Sequence, residues 1–190
     1  MKLASTLVAA LVAMGGAATA STLSITSIEV AFQTAGGVNL DSTFSVTGGW
    51  YDTALGFADY ATVATNFVSA GSVAFPYAGN AAYNGFAAGT TDFFNSNTLG
   101  IEGDNIFWLV SDGSTGWALL ENVGNTFVNE NLVPNTNVAE LTTANIGSWT
   151  VHVGDASGAP GNIKLAVIPE PSAALLGGLG ALGLLRRRRN

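Results

Sequence analysis

The 190-residue chain has no cysteine, which excludes both a disulfide framework and a thiolate metal site. It has one histidine, His152, so an imidazole-built transition-metal site lacks its second ligand. The G-x-S-x-G pattern that would give that histidine a serine nucleophile is missing as well. Charge is scarce: 10% of residues are charged, against roughly 25% in an average domain. Cations are scarcer still. Lys2 stands at one end of the chain, Arg186, Arg187, Arg188 and Arg189 stand at the other, and Lys164 is the sixth. Of thirteen carboxylates only Glu170 lies outside Ser21 to Ile168, so that span holds twelve against one lysine, a net charge of about −11. A surface of this sign repels nucleic-acid phosphates and anionic headgroups, which excludes nucleic acid as a partner.

What is present at the N-terminus is an export signature. Lys2 precedes a mostly apolar stretch from Leu3 to Ala18, and Ala18-Thr19-Ala20 meets the small-x-small rule for signal-peptidase cleavage before Ser21. The apolar part is shorter than the roughly 20 residues that span a bilayer as a helix. Residues 1–20 are therefore set apart from the fold as a signal helix.

Residues 21–168 predict one all-β domain, a β-sandwich or jelly-roll-like arrangement with at most one or two short helices. Leu23 and Ile25 share one parity, and Ile28, Val30 and Phe32 the other, which predicts an edge-like strand broken near Thr26-Ser27. Phe44 and Val46 alternate in a second strand that Gly48-Gly49 should end. Tyr60, Val63, Ala64 and Phe67 fall at helical spacing within Ala58 to Val68, with Gly71 as the expected stop. Ile106 to Val110 is a continuous apolar run of β-prone residues, as in a strand buried on both faces. Asp112 to Gly116 is turn chemistry, and Trp117 to Leu120 begins the return strand of a central hairpin. Asn137 to Thr143 predicts a single helical turn, while Ser148 to Val153 and Ile163 to Ile168 predict further strands.

Candidate chemistry in this domain is sparse. No residue is singled out as catalytic, and the domain is expected not to be an enzyme. Two facing carboxylates would suffice for a polysaccharide-active hydrolase or lyase, but nothing in the chain selects a pair. His152 reads as an ordinary strand histidine whose only carboxylate neighbour in sequence is Asp155. Glu102, Asp104, Asn105 and Asp112 flank the Trp108 strand and supply the oxygen ligands that Ca²⁺ takes, although the D-x-[DN]-x-[DN]-G loop is absent. The alternative for these four is a set of solvated polar turns. Trp50 and Tyr51 are candidates for stacking on sugar rings, with core packing as the alternative.

The last 22 residues, Pro169 to Asn190, carry the clearest message. Pro169-Glu170-Pro171 is followed by an apolar run from Ala173 to Leu185 and then by four arginines. The prolines stop a helix from running back into the domain. Thirteen helical residues rise only about 20 Å, short of a ~30 Å hydrocarbon core. Four arginines hold the C-terminus in the cytoplasm and leave the domain outside. This order of parts resembles the PEP-CTERM sorting signal of exopolysaccharide-producing Gram-negative bacteria. The resemblance covers residues 169–190 only. It implies transient insertion in the inner membrane, recognition of Pro169, Glu170 and Pro171 by exosortase, and removal of the tail. A permanent single-span anchor has the same topology.

The expectation is thus an exported protein of the cell surface or extracellular matrix. Its role would be structural or adhesive beside exopolysaccharide in a biofilm, with a carbohydrate-binding module as the alternative. No cofactor is expected apart from the Ca²⁺ candidate.

Overall fold

The computed structural model describes residues 21–91, 96–128, 136–156 and 161–169. Strands dominate them. In chain order they are β1 (Thr22–Thr26), β2 (Ala31–Gln33), β3 (Ser45–Trp50), α1 (Tyr60–Asn66), β4 (Val68–Ala74), β5 (Ala88–Thr90), α2 (Ser96–Leu99), β6 (Asn105–Ser111), β7 (Gly116–Thr126), β8 (Thr136–Glu140), β9 (Trp149–Val153), β10 (Asn162–Lys164) and β11 (Ala166–Val167). The signal helix and the apolar tail helix expected at the two ends lie outside the described residues. Among the described residues no helix is long and apolar enough to cross a membrane.

The apolar run at Ile106 forms β6, the centre of a six-stranded sheet in the order β11-β7-β6-β3-β4, with β9 sharing the outer edge of the long β7. All of its pairings are antiparallel. Side chains alternate along β6, so one strand feeds two apolar clusters. Ile106, Trp108 and Val110 point to one side, where they meet Leu23, Ile25 and Phe32 from β1 and β2 and Ile163 from β10. Phe107 and Leu109 point to the other side, where Tyr51, Val63 of α1, Trp117 and Leu119 cover them. The first cluster is backed by a three-stranded sheet, β5-β1-β8, and a two-stranded sheet, β10-β2.

Several expectations are corrected by this arrangement. β1 is not an edge, since it pairs antiparallel with β5 and parallel with β8. Ile28 is exposed although Val30 and Phe32 are fully buried, because the chain turns at residues 28–30 and β2 starts a new alternation. Ser27 anchors that turn by exchanging hydrogen bonds with the Ala87 backbone. Asn137 to Thr143 is not a helical turn. Its first part is β8, whose parallel partner β1 lies more than a hundred residues away, and that partner supplies what local propensity does not. α1 starts after Asp59, whose carboxylate accepts from the Thr62 N–H and hydroxyl at 2.8 and 2.9 Å. It ends at Asn66, so Gly71 is not its stop. Gly71 lies within β4 at φ +143°, where a Cβ would fall 2.4 Å from Thr91 Cβ.

Gly48-Gly49 does not end β3 either. The strand continues through both glycines to Trp50, with a register shift against β4 between them. A Cβ on Gly49 would sit 2.1 Å from the Val68 carbonyl oxygen, so glycine is what lets β4 approach there. The irregularity sets the direction in which the chain presents Trp50 and the loop that follows it.

Candidate functional site

The face of the six-stranded sheet beneath α1 is only partly covered, and two recesses open on it. One, of about 160 Å³, lies at the end of β3 between Trp50, Asp52, Asp104, Asn105, Phe107 and Glu121. The other, of about 290 Å³, lies over Ser45, Thr47 and Ser111 beside Tyr60.

The smaller recess joins two sets of residues that the sequence kept apart. Trp50 and Tyr51 come from the end of β3, while Asp104 and Asn105 come from the start of β6. Trp50 is partly buried, packs against both apolar clusters and lines the recess. Trp108, Trp117 and Trp149 are all buried, which singles out Trp50 among the four tryptophans. Tyr51 plays the other part considered for it. It is 1% exposed, its ring lies 5.9 Å from that of Phe57, and its hydroxyl donates to the Gly56 carbonyl at 2.6 Å. Burial and the nearby charges of Asp52 and Asp59 push the Tyr51 phenol up, so it remains a donor. Tyr51 thus supports the loop and leaves Trp50 as the aromatic contact.

Glu121 is the residue that sequence reasoning missed, and its partner is His152, to which the sequence offered only Asp155 as a carboxylate neighbour. Glu121 Oε2 lies 2.8 Å from His152 Nε2, and Glu121 Oε1 accepts from Asn105 Nδ2 at 2.7 Å. The His152 ring stacks on Phe57 at 4.4 Å and on Phe107 at 5.9 Å. The pairing of β7 with β9 brings Glu121 and His152 together across 31 positions of sequence, so no local signal marks it. Both oxygens of Glu121 are engaged, which fixes Asn105 at the recess wall. Asp52 spends one oxygen on the Ala54 N–H at 2.9 Å.

The four calcium candidates are not brought to one place. Asp104 and Asn105 stand at the start of β6 and Asp112 just beyond its end, about 25 Å away at a strand rise of about 3.3 Å per residue. Glu102 is exposed in the preceding turn. Asp112 is moreover engaged by its own turn: one oxygen accepts from the backbone N–H groups of Ser114, Thr115 and Gly116, the other from the Ser114 and Thr115 hydroxyls. Partial burial works against its charge, but these bonds outweigh it and hold the carboxyl well below the usual range. Among the described residues no group of three His, Asp or Glu side chains is placed to hold a metal ion.

At the processing sites, Ser21 is buried and its hydroxyl has no hydrogen-bond partner among the described residues. Ile168 donates its backbone N–H to the Thr115 carbonyl at 3.1 Å, and Pro169, the next residue, is exposed. Ala18, Ala20, Glu170, Pro171 and Arg186 to Arg189 lie outside the described residues. Comparison of the chain with protein-family models, with curated proteins and with solved structures finds no match in any of the three.

Proposed function

We propose that this chain is an exported, non-catalytic β-sandwich domain that binds neutral polysaccharide through the Trp50 recess at the cell surface or in the extracellular matrix. The observation that carries the reading is the join of the one tryptophan that is not buried with Asp52, Asp104 and Asn105 in a single concavity. An aromatic surface takes the C–H face of a pyranose, and fixed carboxylate and amide groups take its hydroxyls. The sign of the surface favours a neutral chain. With Lys164 the sole cation between Ser21 and Ile168, a polyanionic polysaccharide would need bridging cations.

Intrinsic fluorescence tests this reading. Because Trp50 is the one tryptophan that is not buried, acrylamide should quench mainly its emission. Adding the exopolysaccharide of the producing cells should remove most of that quenching. Unchanged quenching at saturating polysaccharide would remove Trp50 as the contact.

Delivery is part of the same proposal: signal peptidase acts before Ser21, and an exosortase acts at Pro169-Glu170-Pro171 after transient insertion of the tail. The exposure of Pro169, directly after Ile168 with its bond to Thr115, supports access to the motif. Mass spectrometry of the secreted form should find Ser21 first and no arginine tail. An intact Arg186–Arg189 would leave a retained membrane anchor in place of sorting.

A further inference from the structure

We infer that the larger recess, of about 290 Å³ between β3, β6 and α1, is a second site for a neutral sugar unit, sharing no described residue with the one at Trp50. Its floor is a patch of hydroxyls on adjacent strands. Ser45 faces Ser111 across the β3–β6 pairing, and Thr47 faces Leu109. The hydroxyls retain hydrogen-bonding capacity. Thr47 Oγ1 shares one bond with Ser72 Oγ at 2.7 Å, which leaves each oxygen a further lone pair. Ser111 is 8% exposed, and its oxygen accepts from the Gly113 N–H at 2.7 Å. A serine hydroxyl also carries a proton to donate, and the Ser111 side chain makes no other hydrogen bond among the described residues. A buried donor of this kind is costly to leave unmet, and an oxygen of a bound sugar or a water satisfies it.

The walls supply the apolar half of such a site. Tyr60 stands over the floor with its ring edge-on to Trp117, 5.8 Å away, so its position is set before any ligand arrives. Leu109 fills the gap beside it. Among the described residues no cation lines the recess, so the described lining offers an anionic ligand no partner. Asp112, at the rim, already has both oxygens occupied, so a cation gains little from it. What remains is a ligand with many hydroxyls, an apolar face and no charge. At about 300 Å³ a recess is at the small end of ligand sites, the scale of a single sugar ring.

The test is a ¹H–¹⁵N titration of the full chain with D-glucose, D-galactose and D-mannose, each to about 100 mM, since a single ring is held with a dissociation constant of about 1 mM or weaker. With at least one sugar, the Ser45, Thr47, Ser111 and Gly113 amides should shift in the wild type and equally in Trp50→Ala. Ser45→Val and Thr47→Val should each weaken that response roughly three- to tenfold, the loss expected for one hydrogen bond. Two conservative variants are used so that one misfolded protein does not decide the matter. Absence of recess shifts with all three sugars, while the Trp50 recess responds, would overturn this inference alone. Silence at both recesses would overturn it together with the proposed function. Recess shifts that disappear in Trp50→Ala would show one site in place of two.

Discussion

Alanine in place of Trp108 should lower the unfolding free energy by about 3–5 kcal/mol, a large fraction of the roughly 5–15 kcal/mol that a domain possesses. The ring is fully buried at the centre of β6, 4.6 Å from Trp149 and 6.4 Å from Phe32, whose own ring is 5.8 Å from Phe75. Removing it opens a cavity beside Phe32 of β2 and Trp149 of β9, strands held in place by their own pairings. One feature works in the opposite direction: the Trp108 indole N–H has no hydrogen-bond partner among the described residues. Phenylalanine keeps most of the volume and removes that unpaired donor, so Trp108→Phe should cost no more than about 1–2 kcal/mol. Urea midpoints at unchanged slope measure both. An alanine variant within about 1 kcal/mol of the wild type would mean that Trp108 does not hold the two sheet layers together.

The parts of this fold that could be read from the sequence are those whose cause is local. Ile106 to Val110 announces β6 because a strand buried on both faces has no polar alternation to disguise it. Asp112-Gly113-Ser114 announces its turn because a short acid side chain can satisfy the backbone donors around it. α1 was legible from the spacing of Tyr60 and Val63, within the ±2 residues that such boundaries carry. The parallel pairings were not legible. β1 with β8 and β2 with β10 join segments far apart in sequence, and nothing near Asn137 says that its partner is Leu23. Gly48-Gly49 misled for a related reason. Two glycines signal a turn when taken alone, but here they permit the close approach of the Val68 backbone to a strand that continues.

The candidate site divides along the same line. Trp50 and Asp104 could each be picked out as unusual, one by its residue type and the other by its polar turn. Their meeting in one recess depends on β3 lying beside β6, and the Glu121–His152 pair depends on β7 lying beside β9. The calcium candidates failed to assemble because strand length, which local composition does not reveal, separates Asp104 from Asp112.

The second large effect expected is functional. Trp50→Ala should abolish polysaccharide binding while leaving the fold in place. The indole is mostly buried against both apolar clusters, so its loss removes packing worth about 2–4 kcal/mol, which leaves a domain of roughly 5–15 kcal/mol folded. For binding, the same residue supplies the apolar contact of the recess. A hot-spot aromatic of this kind carries 2 kcal/mol or more, roughly a thirtyfold loss that puts a weak glycan ligand beyond detection. Asp104→Asn should act more mildly, because an amide oxygen still accepts a sugar hydroxyl while the charge-assisted part of that bond is lost. A reduction of about three- to tenfold is the expected size.

Calorimetric titration of wild-type and Trp50→Ala protein with the exopolysaccharide of the producing cells tests the proposed function most directly, with far-ultraviolet circular dichroism of both as the check on folding. Saturable binding by the wild type that is lost in a folded Trp50→Ala protein is the predicted result. Equal binding by the two proteins, or no binding by the wild type to that polysaccharide, would contradict it.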